Sequence, residues 1–384
     1  MIKNRVLLVL VAAALLAGLG LAFVAQAPNR LVSGTPIALI SVLHGGVGLA
    51  VLLPAAALLV APFLPQHRAG HAAVAVAAVS LLLALLWLAG VEARRLAEAA
   101  PRAARTSLGG AFWAIAACTG LMLNDALRRL RLPVPATAAV LAGAIGAVGL
   151  VAASGTLDDL AIMREFSARR AAVEAAVLRH VALVAAALVP TVLLGLPLGR
   201  LAQRRSAVRS TLFPVLNVVQ TVPSIALFGL LIAPLSAVAG LSSRLGALGI
   251  GGVGVVPAII ALVLYSLLPV ARNTAEGLAG IAPATLDAAR GLGMTSRQVL
   301  WRVELPLALP VILAGLRIAT VQAIGLAAVA ALIGAGGLGA IMFQGLFADA
   351  LDLVLVGVVP IVLLAFIADG LFGLAIAATA RVPR

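Results

Sequence analysis

About ten stretches of this chain run for roughly twenty residues or more with almost no charge, long enough to cross the ~30 Å hydrocarbon core of a bilayer as helices. They read as about Val6–Ala25, Pro36–Phe63, Ala72–Val91, Leu108–Leu127, Val134–Ser154, His180–Leu201, Thr211–Val238, Val255–Asn273, Leu307–Leu332 and Leu353–Ala375. Inside lipid the backbone must satisfy its own hydrogen bonds, so only helices and closed barrels cross. A barrel would show ten-residue segments of alternating polarity, and these runs are continuous and rich in Ala, Leu, Val and Gly. The expected fold is an all-α polytopic membrane protein. Only 10% of residues are charged, against roughly 25% in soluble domains, too few to clothe a soluble surface.

The formal charge of +14 does not point to nucleic acid. The arginines lie in short connections rather than on one stripe, and few aromatics accompany them. Positive charge in short loops is what sets membrane orientation. Cys118 stands alone in an apolar span, which excludes a disulfide framework or a Cys-rich metal site. The one lysine is Lys3, and a phosphate-binding P-loop needs a lysine, so any ATP used must sit on another subunit. His44, Cys118, Asn124 and Asp125 are isolated, and packing is the expected role of each. No paired carboxylates, metal cluster or nucleophile–base set is visible, so no catalytic residue, bound cofactor or metal is assigned.

Along the chain, Ala25-Gln26-Ala27 has the small-residue pattern of a signal-peptidase site. The run before it is longer than a signal core, so an uncleaved helix is expected. Asp158–Arg179 carries both charge signs, with Leu160, Met163, Phe166 and Ala171 at roughly helical spacing. It reads as an amphipathic surface helix. Three parts follow: a membrane extension over 1–155, a connecting helix over 156–179 expected on the periplasmic side, and a core over 180–384. Counting arginines places both termini in the cytoplasm, with Lys3, Arg5, Arg68, Arg128–Arg131, Arg200–Arg209, Arg272, Arg290, Arg297, Arg302, Arg381 and Arg384 inside. Arg30, the Arg94–Arg105 and Arg164–Arg179 groups and Arg244 fall outside, the two groups interleaved with acids.

Residues 283–306 interrupt this pattern with a polar stretch, PATLDAARGLGMTSRQVLWRVELP. Pro283 suits a first helical turn. Leu286, Ala289 and Leu292 share a face. Gly291 or Gly293 can end that helix, and Thr295 with Gln298 has capping-box spacing for a second. Periodicity alone leaves two readings open, an amphipathic connector on the membrane and a helical pair projecting from it.

The same residues resemble the EAA loop of ABC importer permeases: Asp287-Ala288-Ala289, Gly293, then Val303-Glu304-Leu305-Pro306 match Glu-Ala-Ala, Gly and Ile-x-Leu-Pro at the family's spacing, with Asp for Glu and Val for Ile. In that family the loop docks into a separate cytoplasmic ATPase, which implies a coupling role for Asp287, Ala288, Ala289, Gly293, Arg297, Leu305 and Pro306. From about His180 onward the chain resembles the permeases of osmoprotectant importers for glycine betaine, carnitine and choline. Asn217-Val218-Val219-Gln220-Thr221-Val222-Pro223-Ser224, Pro257–Asn273 and Ala331–Gly339 carry that likeness. The resemblance implies a type I, MetI-like core in the last five spans. It also implies cytoplasmic ATPase subunits holding ATP and Mg, a periplasmic or lipid-anchored binding protein, and a second permease chain. The first half resembles, by layout, the long variant with an N-terminal membrane extension. Two other functions stay open: a permease for another small solute such as methionine, and a membrane osmosensing subunit.

Other motifs weigh less. Gly249–Gly254 and Gly334–Gly339 match GxGxxG literally but lack the strand and βαβ unit of a dinucleotide site. Gly334, Gly336 and Gly337 either let helices pack closely or let the backbone bend beside a cavity, as at an outer gate. Asn217, Gln220, Thr221 and Ser224 lie along one broken span, as pathway lining or as glue between helices; Gln322 and Gln344 are lesser candidates. Arg317 is about 16 Å inside its span at 1.5 Å per residue and needs a partner or a snorkelling route to the interface. Asp369 is the candidate, in an ion pair that ties the last two spans.

Overall fold

The computed structural model describes residues 2–29, 32, 34–101, 103–241 and 250–379. Arg30, Arg102, Arg244, Gly249, Arg381 and Arg384 lie outside the described residues. The chain divides into two compact units, Met1–Ala168 and Arg169–Arg384.

The first unit contains α1 (Arg5–Gly20), β1 (Ala22–Ala27), β2 (Thr35–Ala38), α2 (Leu39–Val42), α3 (Gly45–Val60), α4 (Arg68–Glu98), β3 (Arg105–Leu108), α5 (Gly110–Leu130), α6 (Val134–Ala153) and α7 (Ala161–Ala168). The expected Val6–Ala25 span therefore ends at Gly20. The next residues form the central strand of an antiparallel sheet ordered β2-β1-β3. Pairing wins because Phe23 and Val24 bury fully, and aromatic and β-branched residues suit a pleated surface. The Pro36–Phe63 run is likewise split. Pro36 sits in β2, an edge strand that tolerates a missing N–H, and the long helix starts only at Gly45. One continuous core joins Leu7, Phe23, Leu58, Leu85, Met122 and Leu160.

Asp158–Arg179 is not one helix. Arg169 takes φ −128° and ψ 19°, outside helical values, so α7 stops at Ala168 and residues 170–179 open the next helix instead.

The second unit is helical: α8 (Arg170–Arg204), α9 (Ser206–Thr221), α10 (Ser224–Gly240), α11 (Val255–Ala279), α12 (Pro283–Gly291), α13 (Ser296–Val299), α14 (Leu305–Val329), α15 (Leu338–Phe347) and α16 (Leu351–Thr379). Helix α11 is the centre, flanked by α8 and α14. Close backbone packing explains two glycines of α8: a Cβ at Gly199 would sit 2.4 Å from the Ala271 carbonyl oxygen, and one at Gly195 2.7 Å from Val270.

Among the described residues, 8 helices are long and apolar enough to cross a membrane, or 9 if α9 and α10 are one span bent by 106°. The sequence reading of ten also counted the first apolar run, whose helix is 16 residues long.

Candidate functional site: the two-helix loop and its connections

The 283–306 segment is built by local rules. Pro283 occupies the first turn of α12. The chain leaves that helix through Gly293, at φ +79°, a left-handed conformation that disfavours any side chain. Thr295 and Gln298 form the capping box of α13: the Thr295 N–H donates to Gln298 Oε1 at 2.8 Å, and the Gln298 N–H donates to Thr295 Oγ1 at 3.3 Å. Residues Leu300–Glu304 then make a π turn, in which the Leu305 N–H reaches back to the Leu300 carbonyl. Pro306 favours this widening, because it has no N–H for the Arg302 carbonyl four residues earlier.

Ala289, Val299 and Leu300 bury, holding the two helices against each other, while Asp287, Ala288, Arg290 and Arg297 stay exposed. Asp287 and Arg290 pair across one turn at 3.0 Å. The tip carries Leu292, 80% exposed, and Trp301 in the π turn is 63% exposed. Glu304 faces Arg200, at the end of α8, at 3.9 Å. That contact was not legible in the sequence, where Glu304 fills a free position of the motif.

Asn217, Gln220, Thr221 and Ser224 divide into two groups. Asn217 and Thr221 are exposed on α9, with the Thr221 hydroxyl turned to its own Val218 carbonyl at 2.7 Å. Gln220 instead donates to the Tyr265 carbonyl at 2.8 Å. Tyr265, in α11, donates its hydroxyl to the Val222 carbonyl at the α9–α10 break. These two bonds fasten the break to α11. Tyr265 is the only tyrosine in the chain, the one signal that could have singled it out. Ser224 opens α10 and is partly exposed.

Gly334, Gly336 and Gly337 all adopt positive φ, +82°, +81° and +79°, in a hairpin between α14 and α15. The Gly254 N–H ties this hairpin to the start of α11 through the Ile333 carbonyl at 2.6 Å. Arg317 and Asp369 meet as a bidentate pair, Nε to Oδ1 and a second bond of 2.5 Å to Oδ2. Their side chains are 41% and 44% exposed. Gln344 accepts from Arg169 at 3.2 Å.

In the first unit Asp125 is not isolated, contrary to the sequence reading. It accepts from Asn4 at 3.0 Å and from Arg129 at 2.8 Å, and Arg129 also reaches Asn4 at 3.2 Å. No group of three or more His, Cys, Asp or Glu that could hold a metal occurs among the described residues.

Residues 3–163 match the family described as ABC transporter permease YehY, N-terminal domain. Residues 191–379 match the binding-protein-dependent transport system inner membrane component. The chain is similar to the osmoprotectant import permease protein OsmW of Salmonella typhimurium, 42% identical over 193 residues, 50% of this chain and 85% of that protein. It is similar to the glycine betaine/carnitine/choline transport system permease protein OpuCD of Bacillus subtilis, 42% identical over 182 residues, 47% of this chain and 72% of that one. A chain of the MetNI methionine ABC transporter in an inward-facing conformation aligns with TM-score 0.47 and 23% identity, over 55% of this chain and 97% of that one.

Proposed function

This chain belongs to the osmoprotectant permeases of ABC importers, with a YehY-type domain ahead of the permease core, and we propose that it is the membrane path by which glycine betaine, choline or carnitine enters a bacterial cell. The observation that carries the solute class is the 42% identity to an osmoprotectant import permease across 50% of the chain.

In this reading the permease performs no chemistry. Cytoplasmic ATPase subunits hold ATP and Mg and seat on Asp287, Ala288, Ala289, Gly293 and Arg297. Leu305 and Pro306 pass their motion into α14. A periplasmic or lipid-anchored protein selects the solute. Aromatic cages suit quaternary ammonium groups, and this chain, with 1 Tyr and 3 Trp, is poor material for one. A second permease chain completes the pathway. Asn217 and Thr221, polar and exposed on a span, are its lining, and the Gly334–Gly337 hairpin is its outer gate.

The coupling loop faces the cytoplasm, and so do both termini. Charge within each unit supports this. Glu304 meets Arg200 beside Arg204 and Arg205 in the second unit. In the first, Asn4 meets Asp125 and Arg129, gathering the basic N-terminus with the Arg128–Arg131 cluster. Such arginine-rich ends stay inside.

The test is reconstitution in liposomes with the partner ATPase and binding protein and labelled glycine betaine. Uptake that needs both ATP and the binding protein is expected. Uptake of methionine alone would overturn the solute class, and uptake independent of ATP would overturn the importer.

A further inference from the structure

Helix α8 touches both working ends of the second unit. Near its start, Arg179 Nε donates to the Ala335 carbonyl of the glycine hairpin at 3.2 Å. The next residue, His180, is fully buried, and its Nε2 bonds the Ile324 carbonyl of α14 at 3.0 Å. A carbonyl only accepts, so Nε2 carries the proton. The other ring nitrogen, Nδ1, is buried without a partner. It abuts Gly337, where an added Cβ would lie 3.3 Å away, and a Cβ on Gly336 would lie 3.7 Å from Arg179. The hairpin is therefore shaped around these two side chains. At the far end of the same helix, Arg200 faces Glu304 of the π turn at 3.9 Å.

Arg179 and Arg200 are about 32 Å apart along the helix at 1.5 Å per residue, close to the ~30 Å of a hydrocarbon core. Between them Gly195 and Gly199 press α8 onto α11, which steadies a helix that contains Pro190 and Pro197. Arg179 and His180 lie between the two family matches, which end at residue 163 and resume at 191.

We propose that α8 is the strut that carries displacement of the 283–306 loop to the glycine hairpin, with Arg200–Glu304 as its foot and Arg179–His180 as its grip. The proposal rests on the importer reading. Arg179 and His180 are positioning residues. They hold the hairpin backbone at a fixed offset from α8, so a shift at the foot moves the hairpin with it.

The experiment uses the full transporter in liposomes, with Cys118→Ser and spin labels at Leu178 and Leu332, both exposed. ATPase association is measured first, and its absence would sink the importer reading rather than this one. The 178–332 distance is expected to stay constant between ATP-free and ATP-bound states. A change of that distance would overturn the strut, whatever any variant does. In the Arg179→Ala, His180→Leu double variant, solute moved per ATP hydrolysed is expected to fall about fivefold, the lower end of coupling between sites, with ATPase rate kept. His180→Gln, which retains an N–H donor, restores most of it. A wild-type ratio in the double variant, or a proportional loss of ATPase and uptake without rescue by His180→Gln, would overturn the grip.

Discussion

The two units differ in how their cores are joined. The first closes its charges on itself: Asn4, Asp125 and Arg129 form a ring of bonds, Glu92 is buried under Arg95 at 2.5 Å, and Arg164 joins Asp159 to the Ala104 carbonyl. Its apolar residues form one continuous core from Leu7 to Leu160. The second unit has several smaller cores, a helix pair bent by 106°, a π turn, a left-handed glycine hairpin and an exposed loop. Packed cores move as blocks rather than deform. One block suits a static part; several blocks leave seams along which helices can shift, and the transport-system family match, residues 191–379, falls in the unit made of several.

Breaking the second unit at its loop gives the largest effect. In Gly293→Val a β-branched residue takes the left-handed position, at a cost of roughly 1–2 kcal/mol, on an exposed turn where the remaining fold tolerates change. ATP-driven uptake is expected to fall by about five- to thirtyfold, since 1.4 kcal/mol in docking is tenfold in occupancy. The amount of protein in the membrane stays the same. Uptake within twofold of wild type would mean that the loop's shape does not matter to coupling. Next in size is Arg317→Ala, which strands Asp369 inside a span. Intramembrane charge costs about 2.5–3.5 kcal/mol on insertion scales, so monodisperse protein recovered in detergent should drop several-fold. The swap Arg317→Asp with Asp369→Arg should restore most of it. No restoration would show that the pair does not tie α14 to α16.

The same contrast decides what could be read from the sequence. The first part of the loop was legible, because Pro283 and the Thr295–Gln298 box act on their immediate neighbours; Pro306 reads as a stop for the second helix, whereas the helix runs through it by a π turn into one stretch, Ser296–Ile333. The Arg317–Asp369 encounter was legible too, since a charge deep in a span has few partners to choose from. The sheet was hidden: Phe23 and Val24 lie in an apolar run that reads equally well as helix, and only pairing with residues 35–38 and 105–108 makes it a strand. The break at Arg169 has no glycine or proline to announce it. Asp125 looked solitary although Arg129 stands at i+4 spacing on the same helix; its other partner, Asn4, lies 121 residues away in sequence. Contacts such as Arg179–Ala335 depend on packing between distant helices, which periodicity does not record.

The comparison is sharpened within the first unit by Asp125→Ala. Removing this carboxylate leaves Asn4 and Arg129 short of an acceptor, and an unsatisfied buried partner costs about 1–3 kcal/mol. The thermal unfolding midpoint in detergent should fall by several degrees, while uptake at 25 °C stays near wild type. Uptake that collapses without any thermal shift would show that the first unit takes part in transport, and the division between scaffold and moving parts would be wrong.

The smallest effect tests whether the bend in α9–α10 is fastened or free. Tyr265→Phe keeps the ring and deletes only the hydroxyl that bonds the Val222 carbonyl. A hydrogen bond of this kind contributes about 0.5–1.5 kcal/mol net, and Gln220 still holds the Tyr265 carbonyl at 2.8 Å. Maximal uptake should therefore change by no more than a few-fold, and Gln220→Leu should act similarly. The two changes together release the break from both bonds to α11. They are expected to cost more than the sum of the single effects, because groups in one network couple. Strict additivity in uptake rate would mean the bend is held by packing of Leu227 and Phe228 alone, and that the polar clasp is incidental to how this span moves.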